Sequence, residues 1–182
     1  MHGYSGKILH IDLSDRSHWV EEKPEEWYKL YIGGVCMATR LCWENIDVGC
    51  DPYSPGNPVC FANGIFAGTP VPVGGKYGLA SKSPLTGFIG DSLSGSWFSI
   101  AMKRAQWDGI VIHNNSDDWV HLFIDDDRVE FLPADKLLGL GTYETEEEIR
   151  EMVGDDQVRS ATIDPSGESM VRFGNITNDA RQ

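Results

Sequence analysis

Gly74-Gly75-Lys76-Tyr77-Gly78 sets a single cation in a glycine-rich turn. Glycines let backbone N–H groups approach an anion closely, and lysine adds a point charge, so this segment suits a phosphate or carboxylate. It is not a P-loop, because the GxxxxGK[ST] spacing is absent. A second small-residue loop, Asp91-Ser92-Leu93-Ser94-Gly95-Ser96, precedes a helical stretch. Its N–H groups could meet a phosphate, although an ordinary N-cap is the favoured reading of these residues. The cysteines Cys36, Cys42, Cys50 and Cys60 have five, seven and nine residues between neighbours. None forms the C-x-x-C pair that suits zinc or iron–sulfur ligation, and reduced thiols, some of them buried, are expected. The histidines are His2, His10, His18, His113 and His121, none in an H-x-x-x-H or H-x-E pattern. His10 and His121 are expected as satisfied strand residues. Asp125-Asp126-Asp127 lacks an EF-hand frame and suits a solvated hairpin turn. No nucleophile–base pair emerges from spacing alone.

These groups sit in a chain of 182 residues, 41% hydrophobic and 24% charged, which can bury a core. No run approaches the ~18 apolar residues of a membrane span. Residues 1–7 carry no apolar signal region, and the expected compartment is cytoplasmic. The net charge of −13 disfavours nucleic acid and acidic surfaces as partners.

Alternation over 7–13 predicts a strand, and 18–21 the second arm of a hairpin. Pro24 with Glu25 and Glu26 opens a helix that Gly33-Gly34 breaks, and a second helix runs through Cys36, Leu41 and Trp43. Short strands are expected at 59–62, 79–82 and 110–112, with a helix over 97–106. A hairpin spans 120–132. The Thr145-Glu146-Glu147-Glu148 capping box places a helix start near Thr145. Strands near 160–163 and 170–173 close the chain. The interspersed elements favour an α+β fold in one domain, residues 1–182. A weak internal repeat divides it into half one, about 1–113, and half two, about 114–182, the second lacking its last loop, helix and strand.

Several segments together resemble the N-terminal domain of the tungsten- or molybdenum-pterin aldehyde ferredoxin oxidoreductases. They are Gly3-Tyr4-Ser5-Gly6-Lys7-Ile8-Leu9-His10-Ile11-Asp12-Leu13, Tyr31-Ile32-Gly33-Gly34, Asp51-Pro52-Tyr53-Ser54-Pro55-Gly56-Asn57 and Ala67-Gly68-Thr69-Pro70. The most specific is Ser81-Lys82-Ser83-Pro84-Leu85-Thr86-Gly87-Phe88-Ile89-Gly90-Asp91-Ser92. Trp107-Asp108-Gly109-Ile110-Val111-Ile112, Thr142-Tyr143-Glu144-Thr145-Glu146 and Pro165-Ser166-Gly167-Glu168 extend the likeness in order along the chain.

The resemblance implies an α+β base of two similar halves on which a bis-pterin cofactor lies. Later domains of the family supply the iron–sulfur cysteines and the aldehyde pocket, so the four cysteines here inherit no cluster. The cofactor positions carry over as Lys76, Leu93, Ser94 and Gly95. The family usually has Arg at Lys76, where it contacts pterin phosphates, so a bidentate fork becomes a single ammonium. It usually has Asn at Leu93, beside the magnesium that bridges the pterins, and a leucine side chain has no oxygen for a hard cation. Ser94 and Gly95 keep a backbone-donor role. Three readings follow: a domain or split subunit of an aldehyde-oxidising enzyme that passes electrons to ferredoxin, a degenerate paralogue acting as a binding or assembly module, or an inert fragment. A catalytic partner subunit is one expected partner. The other is self-association through a C-terminal sheet edge at 170–176, where Met170, Val171, Phe173 and Ile176 would lie uncovered.

Overall fold

The computed structural model describes residues 2–95 and 97–179. Its centre is a six-stranded mixed sheet in the order β2-β1-β6-β3-β4-β5. The strands are β1 (Lys7–Asp12), β2 (Ser17–Glu22), β3 (Val59–Asn63), β4 (Lys76–Lys82), β5 (Ile89–Gly95) and β6 (Gly109–His113). The β1–β6 pair is parallel, and the remaining neighbours are antiparallel. Period-two alternation divides β1 between the faces. Ile8 joins a core with Trp27 and Tyr28 of α1 (Glu25–Tyr31) and Met37, Leu41 and Cys42 of α2 (Gly34–Asn45). Leu9 and Ile11 join the opposite core with Phe61, Tyr77, Trp107 and Met102, the last on α3 (Trp97–Arg104). Because both faces are covered, β1 is buried along most of its length, including the polar His10.

The hairpin of β7 (Val120–Asp125) and β8 (Arg128–Pro133) packs Leu122, Ile124, Val129 and Phe131 onto the second core. Its tip is tied down where the Trp107 indole N–H donates to the Asp126 carbonyl at 3.0 Å. Next come α4 (Thr142–Val153), β9 (Ala161–Thr162), α5 (Pro165–Glu168) and β10 (Thr177–Asn178), with β9 and β10 paired antiparallel. The mixture of helices, a mixed sheet and hairpins is the expected α+β class. Among the described residues no helix is long and apolar enough to cross a membrane. The four thiols are free, with Cys42 and Cys60 buried. A shared hydrogen bond with Cys42, together with burial, pushes the Cys60 thiol up.

Four local expectations are corrected. Residues 91–95 form no loop: they belong to β5, which pairs with β4 over its whole length. Small, polar residues have low strand propensity, but an edge strand needs ladder partners more than it needs branched side chains. Likewise Lys76–Gly78 are strand rather than turn. The α4 helix starts at Thr142, one turn before the supposed capping box; its N-cap is Gly141, and Thr145 is buried inside it. No strand forms at 170–176. Met170 has φ 53° and Val171–Gly174 make a turn, while Ile176 packs on the second core. Association through a strand edge there therefore has no edge to use.

A buried carboxylate secures the N-terminus of the sheet. Asp108, 1% exposed, accepts from the backbone N–H of Ser5 (2.9 Å) and Gly6 (2.7 Å) and pairs with the Lys103 ammonium. The Asp108 N–H donates in turn to the Lys7 carbonyl at 3.0 Å. Removing one member of such a buried pair leaves the other charge uncompensated, at a cost of roughly 3–5 kcal/mol. Asp108→Ala is accordingly expected to lower stability by about that amount in urea denaturation, with Lys7–Asp12 losing protection in hydrogen exchange.

Candidate functional site

At one end of the large sheet the α1–α2 junction and the 64–75 loop close around β4 and β5. They enclose a cleft of about 220 Å³ lined by Ile32, Gly33, Gly34, Gly64, Ile65, Phe66, Val73, Gly74, Lys76 and Leu93. Glycine is required at its narrow points. A Cβ on Gly78 would overlap the backbone of Gly34 and Val35, so the first turn of α2 rests directly on β4. A Cβ on Gly33 would stand 2.6 Å from the Asn63 carbonyl oxygen. Backbone bonds lock the loop around the lysine: Gly64 N–H donates to Lys76 O at 2.8 Å, and Lys76 N–H to Gly74 O at 2.9 Å.

Two cleft residues are strained. Ile32 has φ 58° and Val73 φ 61°, conformations that β-branched residues rarely adopt and that cost about 1–3 kcal/mol each. Ile32 is held by its N–H bond to Tyr28 O at 2.8 Å, which also closes α1. Such strain collects at binding sites, where the fold over-determines the backbone.

Lys76 and Gly95 are partners in the β4–β5 ladder. The lysine side chain lies across the glycine, so that a Cβ on Gly95 would collide with Nζ. Among the described residues no carboxylate lies within ion-pair distance of Lys76. Leu93 pairs with Gly78, is 62% exposed and forms an apolar lip near Gly34. The structure therefore brings Lys76, Leu93 and Gly95 to one mouth. Ser94 alternates to the other sheet face, where its hydroxyl donates to Asn178 Oδ1 at 2.8 Å. Tyr77 donates to the same oxygen at 3.1 Å, and burial raises its hydroxyl pKa. Asp179 Oδ2 accepts from Phe98 N–H at the start of α3. Ser96, the last residue of the sequence-predicted loop, lies outside the described residues.

The arrangement offers one ammonium, close backbone approach and an apolar floor. That combination suits an anionic group, such as a phosphate, attached to a flat or apolar body. It fits the phosphate end of a pterin. It does not fit a metal ion held by side chains. Leu93 brings no side-chain oxygen, and among the described residues no group of three or more His, Cys, Asp or Glu could hold a metal. Sequence reading missed Ile32 and Val73, for which only the neighbouring glycines gave a signal, and it missed Asn178, for which nothing local did.

Comparison with known proteins adds the following. Residues 8–182 match the family described as aldehyde ferredoxin oxidoreductase, N-terminal domain. The chain is 39% identical over 182 residues to the tungsten-containing aldehyde ferredoxin oxidoreductase of Pyrococcus horikoshii and 40% identical to that of Pyrococcus abyssi. All of this chain is matched, and it spans 30% of the length of each relative. The WOR-like subunit of an aliphatic sulfonate oxidoreductase of Pyrococcus furiosus is 29% identical over 97% of this chain and 30% of that protein. Among solved structures, the active-site complex BamBC of benzoyl coenzyme A reductase with 1,5-dienoyl-CoA superposes with a TM-score of 0.93. That likeness has 28% identity and covers 97% of this chain and 27% of the other.

The Gly78 contact makes the cleft testable apart from any ligand. Gly78→Ala should force α2 away from β4 and cost about 1–3 kcal/mol, as overpacking does. Thermal denaturation should show the loss, and hydrogen exchange should place it at residues 33–38.

Proposed function

The chain belongs to the aldehyde ferredoxin oxidoreductase family, whose N-terminal domain it forms, and we propose that it is the cofactor-bearing base of a tungsten- or molybdenum-pterin enzyme. That enzyme oxidises an aldehyde to a carboxylic acid and passes the electrons to ferredoxin. The observation that carries the reading is the Lys76 ammonium lying over Gly95 at the mouth of a glycine-lined cleft, with no carboxylate among the described residues within ion-pair distance. Lys76 would hold a pterin phosphate as a point charge. Gly33, Gly34 and Gly74 let the ligand meet backbone at close range, and Ile32, Phe66 and Leu93 exclude water from its apolar side. When bound, the metal–pterin supplies the redox chemistry. Residues outside this chain, in the longer protein or in a partner subunit, would provide the aldehyde pocket and the electron path.

A second reading is a paralogue that has given up the cofactor and serves as a binding or assembly module. Leu93 favours it, since an exposed leucine at the lip replaces a polar contact with an apolar one.

Binding of inorganic phosphate and of a pterin phosphate to the full chain separates the two. Lys76→Ala should weaken binding about tenfold or more, the worth of a charge-assisted hydrogen bond. Lys76→Arg should match or exceed the wild type. Absence of phosphate binding in both wild type and Lys76→Arg would support the paralogue. The isolated 182-residue chain is expected to show no aldehyde-dependent dye reduction. Such activity with stoichiometric tungsten or molybdenum would place the whole site within it.

A further inference from the structure

A polar cluster away from the cleft has no part in the proposed function. On the helix-covered face of the sheet, His10 of β1 meets His113 of β6, with Nδ1 and Nε2 2.8 Å apart. The rings are tilted by only 17°. Glu21 of β2 accepts from His10 Nε2–H at 3.1 Å. Trp19, also on β2, lies flat against both imidazoles, with centroids at 4.9 and 5.2 Å. His10 is 3% exposed, whereas Trp19 is 45% exposed. Strand β2 is one edge of the sheet, with β1 as its ladder neighbour.

Hydrogen-bond chemistry limits how many protons this pair holds. Glu21 takes the His10 Nε2–H, which assigns the lone pair of neutral His10 to Nδ1. His113 Nε2–H donates into that lone pair. One added proton is accommodated on His113 Nδ1, because the imidazolium still donates from Nε2. A second would put N–H against N–H at the 2.8 Å contact. We propose that the His10–His113 contact is a proton-counting clasp, closed with at most one extra proton, which releases the β1–β2 hairpin edge from β6 when the second is added.

The surroundings bias this step in both directions. Glu21 of β2 and Glu44 of α2 face His10 and favour its charged form, whereas Lys23, following β2, opposes it. Asp12 of β1 favours charge on His113, and His10 opposes it. Burial outweighs the carboxylates and holds both imidazoles below the ordinary histidine value. The sign follows from linkage. An unfolded histidine takes up its proton near pH ~6.5, while the folded pair resists. The clasp therefore contributes fully above that pH and weakens as pH falls below it toward the folded values. Lys23, paired with Glu21 (2.7 Å) and Glu44 (2.9 Å), keeps the far end of β2 on α2. Release therefore starts at Trp19.

Nitrogen-15 NMR of the histidine rings in the full chain, titrated through the histidine range, tests the clasp. The two rings should titrate as a coupled pair with midpoints separated by more than about one pH unit. The second step should coincide with loss of β1–β6 cross-strand contacts around His10 and His113 and a change in Trp19 emission, identified by its absence in Trp19→Phe. In His113→Gln the amide donates to His10 Nδ1 while His10 is neutral and turns its oxygen to accept from Nδ1–H once His10 is charged, so the second step with its Trp19 change should vanish. Independent titration of the rings at ordinary values overturns the proposal. So do intact β1–β6 contacts once both rings are charged. If His113→Gln does not fold, the wild-type titration still decides.

Discussion

The fold depends most on one buried carboxylate. Asp108 stands where the end of α3 turns into β6, and it collects the Ser5 and Gly6 N–H groups and the Lys103 ammonium. A charge held away from water persists only when fully paired, so these three partners must arrive together. Their meeting places β1 beside β6 in parallel register, Ile8 opposite Gly109. Parallel neighbours far apart in sequence close at a considerable entropic cost. Here the cost is offset where the pairing begins, by charge-assisted bonds at the first residues of both strands. The packing of α1 and α2 on one face and of α3 and the β7–β8 hairpin on the other follows from the β1–β6–β3 centre.

The cleft comes from a different constraint, the distance at which α2 crosses β4. Without a Cβ at Gly78, helix and strand touch backbone to backbone. The chain entering α2 must then turn sharply, and Ile32 absorbs the turn with a positive φ. The hollow left beside the contact is lined by glycines and apolar side chains, with Lys76 at its rim. The hollow and the strain of its walls thus share a cause. Ser94 shows the other side of this geometry. One residue along β5 from Leu93, it faces the opposite core and joins Tyr77 in bonding Asn178, so adjacent residues of a single motif serve two separate regions.

A line of charged and polar groups runs from β6 to the helices: His113, His10, Glu21, Lys23, Glu44, and then Trp27 and Arg40. It crosses the β2 edge of the sheet. Each member satisfies its neighbour, which lets a polar residue such as His10 lie within a buried strand. Hydrogen bonding there does the work that hydrophobic contact does at the centre.

From the sequence alone, the α+β class, the two opening helices split at Gly33-Gly34 and both hairpins were legible. Each rests on local signals: alternation, proline and glycine punctuation, and turn residues. The family was legible too, because its motifs are contiguous runs such as Ser81–Ser92. Tertiary structure decided what local signals could not. Residues 91–95 became an edge strand because β4 offered a ladder. Thr145 went inside α4 because the helix begins a turn earlier, from an N-cap at Gly141. No strand formed at 170–176, where a positive φ at Met170 turns the chain. The union of Lys76 with Leu93 and Gly95, the diversion of Ser94 to Asn178, and the meeting of His10 with His113 are all long-range. They depend on which strands become neighbours, and that is settled by core burial and by the Asp108 pairing, neither of which is written in any short window of residues.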